Sequence, residues 1–282
     1  MDWRGRRESG NVEDRRGVTG GQVAAGGGVI GVIFLLVNFF LGGGDINDLQ
    51  QALPQEQQQE HTAEQKAIDD ERASFVKVVL ADTEDVWDKI FAEKGSAYQK
   101  PVLVLFRGSD QSGCGYASAA TGPFYCPADN KVYIDLSFAE ELRNRFQAKG
   151  DFALAYVVAH EVGHHVQYLM GTSQKMERIR QQVSETEYNK YSVRLELQAD
   201  FYAGVWAHYD KKMKNVIHEE DINEALNAAN AIGDDRLQRE SQGRVVPDAF
   251  THGTSAQRMY WFKKGFETGD ISQGDTFAAD ID

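Results

Sequence analysis

Apolar and polar positions divide this chain into blocks of different period. Residues 1–22 are polar, rich in Gly and Arg, and carry no apolar repeat, which predicts a disordered tail. Val23 to Leu41 then runs without a charge, and Asn38 is its one polar side chain. At helical rise that run reaches about 28 Å, close to the thickness of a bilayer core. Its glycines weaken a soluble helix but are common in membrane ones. Five arginines precede the run, and Asp45 and Asp48 follow it. The positive-inside rule therefore predicts a cytoplasmic tail, a single transmembrane anchor over 23–41, and the large domain outside. A cleaved signal peptide is the rival reading, but the long polar lead and the lack of a clear small-x-small site disfavour it. Residues 42–68 are Gln/Glu-rich and predict a spacer.

From residue 69 the pattern becomes that of a folded domain reaching to 282. Phe75, Val78, Val79, Val86, Trp87, Ile90 and Phe91 recur at helical spacing up to Gly95. Val102 to Phe106 is a short apolar strand, and Lys131 to Leu136 alternates like a strand with one solvated face. Phe152, Ala155, Ala159, Val162, Val166 and Leu169 mark a helix with a core-facing stripe. Asp151 is placed to cap it and Gly171 to stop it. Ser192 to Gly204 reads as another helix and Glu219 to Glu240 as more helical structure. Thr254 or Ser255 would cap a last helix carrying Tyr260, Trp261, Phe262 and Phe266. The sum is an α+β fold: a mostly helical domain with a small β-sheet, preceded by one transmembrane helix.

Charge narrows the function. The formal net charge is −13, and with five arginines against four acidic residues in 1–22, the rest of the chain carries −14. Phosphate binding needs a basic face, so this balance argues against a nucleic-acid role. Cys114 and Cys126, twelve residues apart in a domain expected outside the cytoplasm, most simply form one disulfide.

The chemistry lies in the stretch from Ala159 to His165. His160, Glu161 and His164 form a His-Glu-x-x-His motif. On a helix the two histidines leave one face a turn apart, so both can bind one Zn²⁺ while Glu161 lies beside its open position. A metzincin would carry Gly and His where this chain has Gln167 and Met170, so the third ligand is expected from a later helix. Glu196 is the candidate, and Asp200, one turn on, suits a carboxylate that orients a ligand histidine. Ala199, Ala203 and Gly204 would let that helix approach the first. His252 can donate a hydrogen bond to an oxyanion, and Arg258 can pair with a carboxylate such as Asp200. For His252 and Arg258 a loop histidine and a structural arginine are the plain alternative.

Taken together, Cys114, the Gly122-Pro123-Phe124-Tyr125-Cys126-Pro127 stretch, Val132 to Leu136, HEVGHHVQ, RLELQAD and HGTSAQR resemble the neutral zinc metallopeptidase family (YpfJ-like bacterial proteins with an N-terminal membrane segment). The resemblance spans essentially the whole chain. It implies zinc held by His160, His164 and Glu196, with Glu161 as catalytic base in a gluzincin-type, zincin-like domain. HGTSAQR is also similar to the His-x-x-x-x-x-Arg stretch that follows the metal helices in other gluzincins, which strengthens His252 and Arg258. Phe201 stands where relatives often carry Cys. The implied function is membrane-anchored peptide-bond hydrolysis, with a peptide or protein as partner and the domain periplasmic or extracellular. The alternative is a zinc-stabilised, non-catalytic binding or chaperone-like protein of the cell envelope.

Overall fold

The computed structural model describes residues 1–17, 63–118, 121–148 and 150–281. The expected anchor over 23–41 and most of the spacer lie outside these residues. Among the described residues, no helix is long and apolar enough to cross a membrane. The α+β expectation is met: helices dominate, and the sheets are small.

The first strand is β1 (Val12–Asp14), and helix α1 (Ala63–Glu93) begins within the last residues of the expected spacer. Five strands follow: β2 (Val102–Phe106), β3 (Ser109–Ser112), β4 (Gly115–Ser118), β5 (Phe124–Cys126) and β6 (Lys131–Asp135). The remainder is helical: α2 (Phe138–Asn144), α3 (Phe152–Leu169), α4 (Thr172–Arg180), α5 (Glu185–Lys214), α6 (Glu219–Ala231), α7 (Asp234–Gln242) and α8 (Ser255–Thr268). The main sheet has the order β1-β2-β6-β5, parallel except for β5, which runs antiparallel to β6. β3 and β4 form a separate hairpin, and the expected Cys114–Cys126 disulfide fastens its tip to the end of β5.

The structure corrects the expected tail. Residues 1–17 pack on the domain: Trp3 is buried against Phe75, and Val12, Glu13 and Asp14 pair in register with Leu103, Val104 and Leu105. A three-residue strand has no local periodicity to read; it is made by the sheet edge it joins. A second correction concerns β6. Both of its faces are covered, and Tyr133 and Asp135 are buried. Val132 and Ile134 lie in the main core, while Tyr133 lies in a second apolar cluster with Val104, Phe106 and Ala117, and β6 is an inner strand between β2 and β5. The edge strand beside the helices is β5.

Helix α3 is the hub. From Phe152 to Ala159 every residue is buried, so the helix is covered on all sides rather than along one stripe. Ala153, Leu154, Tyr156, Val157 and Val158 fill the gaps of the expected stripe, and a helix apolar all round belongs in a core. Asp151 holds the cap position without a side-chain capping bond, while Gly171 ends the helix in the left-handed conformation, as its position implied. Two close helix contacts rest on small residues. A Cβ on Gly163 would meet the Ala199 carbonyl oxygen at 3.0 Å, which is how α3 and α5 come so near each other. A Cβ on Gly204 would meet the Phe262 carbonyl oxygen at 2.0 Å, so this glycine serves the α5–α8 crossing and not the α3 contact.

Candidate metal centre

The α3–α5 approach brings Glu196 over the two histidines of α3. Nε2 of His160 lies 3.1 Å from one Glu196 oxygen, and Nε2 of His164 lies 3.5 Å from the other. One ligand atom from each of these residues lies within 4.8 Å of the others. The two rings meet edge to face with centroids 4.8 Å apart.

Each histidine is oriented through its other nitrogen. Nδ1 of His160 donates to Oδ1 of Asp200 at 2.8 Å, and Nδ1 of His164 donates to Oε1 of Gln167 at 2.8 Å. With Nδ1 engaged on each ring, Nε2 is the nitrogen left to face Glu196 and a metal ion. Two imidazole nitrogens and one carboxylate form an established zinc donor set that leaves room for water or substrate, so the residues fit the ion.

Asp200 is fully buried and saturated. Besides His160 it accepts from Tyr156 Oη and from Arg258, whose Nε donates at 2.9 Å and Nη2 at 3.1 Å. The expected pairing of Arg258 with Asp200 is therefore present. Burial alone would raise Asp200, but Arg258 and His160 outweigh it and bring its carboxyl down to about 2. His160 is lifted to about 10 against its burial, chiefly by Asp200. Glu196 is held well below the usual carboxylate range, because His164 and His252 outweigh its burial.

Gln167 was not singled out by sequence pattern except as a missing glycine. Its amide donates to the Leu195 carbonyl at 2.7 Å and to Gln198 at 3.2 Å, and Gln198 in turn donates to the Gly274 carbonyl at 2.8 Å. This chain of amides ties His164 to α5 and to the C-terminal turn.

Glu161 points into the same cleft. It is 7% exposed, burial raises its pKa, and the Tyr125 backbone of β5 donates to it. His165 faces the other way, donating Nε2–H to the Gln99 carbonyl, and burial pushes it down to about 4. His252 lines the cleft half-exposed, in the loop before α8. That loop is organised by Asp234, another residue the sequence did not mark. Its Oδ2 accepts the backbone N–H groups of Thr251, His252 and Gly253 at 2.8, 2.6 and 3.0 Å, and its Oδ1 lies 3.3 Å from Nδ1 of His252. Glu196 and Asp234 raise His252 against its burial. Thr254 caps α8 with a reciprocal bond pair to Gln257, as its position suggested.

The cleft has a volume of about 750 Å³. β5 contributes Phe124 and Tyr125 to one wall, and Met176, Ile232 and Leu237 add apolar surface. A protein of this construction falls in the class organised around a His-Glu-x-x-His metal helix with a third ligand from a following helix.

The comparisons with known proteins agree. The family described as "Putative neutral zinc metallopeptidase" matches residues 1–277, and the chain belongs to that family. It is 50% identical over 290 residues to the uncharacterized protein YpfJ of Escherichia coli K12, covering all of both chains. It is 41% identical over 215 residues to an uncharacterized Mycobacterium tuberculosis protein, Rv2575, covering 73% of this chain and 72% of the relative. No solved structure matches. Family membership implies Zn²⁺ as cofactor, in keeping with the His160, His164 and Glu196 donor set.

Proposed function

We propose that this protein is a zinc-dependent peptidase that hydrolyses peptide bonds with Glu161 as general base. The observation that carries the reading is the convergence of His160 Nε2, His164 Nε2 and Glu196, with Glu161 alongside in an open cleft. A purely structural site would tend to fill four positions with protein ligands and would have no use for Glu161.

When bound, zinc supplies Lewis acidity to a scissile carbonyl and makes water a nucleophile near neutral pH. Glu161 takes the proton of the attacking water and passes it to the leaving amine. His252, held by Asp234 through Nδ1, keeps Nε2 to donate to the developing oxyanion. Asp200 and Gln167 fix the histidine rings, and Arg258 neutralises the buried Asp200 carboxylate. β5, the edge strand that borders the cleft, offers the backbone along which an extended peptide can be laid.

The apolar run 23–41 supports attachment to a membrane. The Cys114–Cys126 bond supports a domain facing an oxidising compartment, periplasmic or extracellular.

The test is Glu161→Gln assayed on a denatured protein substrate with zinc content measured in parallel. Loss of the base should lower turnover by roughly 10²–10⁴-fold with zinc retained. Full activity in that variant sinks the assignment. Zinc bound without turnover in the wild type favours the binding-protein alternative.

A further inference from the structure

The arginines of residues 1–17 were the signal for a cytoplasmic N-terminus, yet each of the five has an acidic partner close at hand. Arg4 pairs with Glu71, Arg6 with Asp82 at 2.7 Å, and Arg7 with Asp85 at 2.6 Å and more loosely with Glu84. Arg15 reaches Asp110 at 2.8 Å, and Arg16 pairs with Asp14 at 2.6 Å and Asp70 at 3.0 Å. A cluster whose charge is neutralised by acids of the domain no longer carries a free positive-inside signal.

The seat is built for this segment. Glu84 is 2% exposed, and its hydrogen-bond partners are Arg7, Ser9 and Asn11, the last two at 2.6 and 2.7 Å. Backbone bonds continue the fit: Ser9 N–H donates to the Lys77 carbonyl, Leu103 N–H to Asn11, and Arg15 N–H to Leu105, all within 3.0 Å. Trp3 and Ser9 are buried by the contact. Groups held at hydrogen-bond distance cannot stand on opposite sides of a hydrocarbon core roughly 30 Å thick.

We infer that residues 1–17 lie on the same side of the membrane as the peptidase domain, docked on the sheet edge of their own chain. This replaces the opposite-side arrangement expected from the arginines. The inference does not depend on catalysis, so it stands or falls apart from the peptidase reading.

The test uses the full chain in bacterial spheroplasts. Gly10→Cys and Tyr260→Cys are made singly. Gly10 is exposed and a Cβ there would meet nothing within 4 Å, Tyr260 is 59% exposed, and the native cysteines are paired. A membrane-impermeant maleimide should label both positions alike, either both before permeabilisation or both only after it. Labelling of one before and the other only after overturns the inference. The second measurement is the pair Glu8→Cys with Ser74→Cys, whose native side chains are hydrogen-bonded. A short bis-maleimide should link residues 8 and 74 within one chain. If both cysteines react with a small maleimide and no intrachain link forms, or if the link joins two chains, docking on the same chain is overturned.

Discussion

Asp200 offers the most decisive perturbation, because one carboxylate serves both the fold and the metal site. It is fully buried and accepts from Tyr156, His160 and Arg258, which is itself 3% exposed. In Asp200→Ala the guanidinium of Arg258 is left buried without its counter-ion. Breaking a buried pair from one side costs about 3–5 kcal/mol. Adding Arg258→Met removes the orphaned charge, and what remains is the unpartnered Tyr156 hydroxyl and His160 Nδ1. The double variant should therefore recover to within about 1–3 kcal/mol of wild type. Zinc affinity should behave otherwise: His160 Nδ1 has lost its acceptor in both variants, so both should bind zinc roughly 10–100-fold more weakly. Stability is read by urea unfolding in excess chelator, so that zinc binding to the native state does not enter. Affinity is read by competition with a chromophoric chelator. A double variant no more stable than the single one would refute the charge-pair argument. Unchanged zinc affinity would refute the orienting role.

Three further outcomes are expected. Gln167→Leu should weaken zinc binding by about tenfold or more by freeing His164, and Gln167→Glu, which keeps an acceptor, should lose less in the same competition assay. Gly204→Ala should destabilise by about 3 kcal/mol or more, since its Cβ would sit 2.0 Å from the Phe262 carbonyl, while Gly10→Ala should be nearly silent in parallel thermal melts. Asp210 is pushed up to about 7 by burial and by the nearby Asp82. Its unfolded value is about 4, so the native state holds a proton that the unfolded state releases, and this group's contribution falls as pH rises from about 4 to about 7. Asp210→Asn should therefore raise the melting temperature more at about pH 8 than at about pH 5, and an equal gain at both would contradict the assignment.

What the sequence could and could not disclose follows from how each element is made. The metal helix was legible because its histidines are four apart and its flanks are periodic, and Glu196 and Asp200 because they repeat that spacing on a second helix. Arg258 was reachable from the need for a cation at a buried carboxylate. Gln167 escaped because an amide three residues after a histidine follows no distinctive pattern; its role depends on Leu195 and Gln198, which come from another helix. Asp234 escaped for a similar reason, since its partners are backbone groups nearly twenty residues on. β1 was read as tail because three residues between polar neighbours carry no period. The β3–β4 hairpin is polar and glycine-bearing and offers no apolar alternation from which a strand could be read.

β1 has a consequence for how the protein stays apart from its own copies. Without it, Val102 to Phe106 would present an unpaired apolar strand edge, the type of surface that recruits like strands and seeds aggregates. Residues 12–14 close that edge in advance. β5, at the opposite end of the sheet, borders the cleft, where its Tyr125 backbone donates to Glu161. A chain shortened by its first 17 residues would thus be expected to self-associate through β2, so the segment that looks most dispensable in the sequence acts as a built-in guard against aggregation.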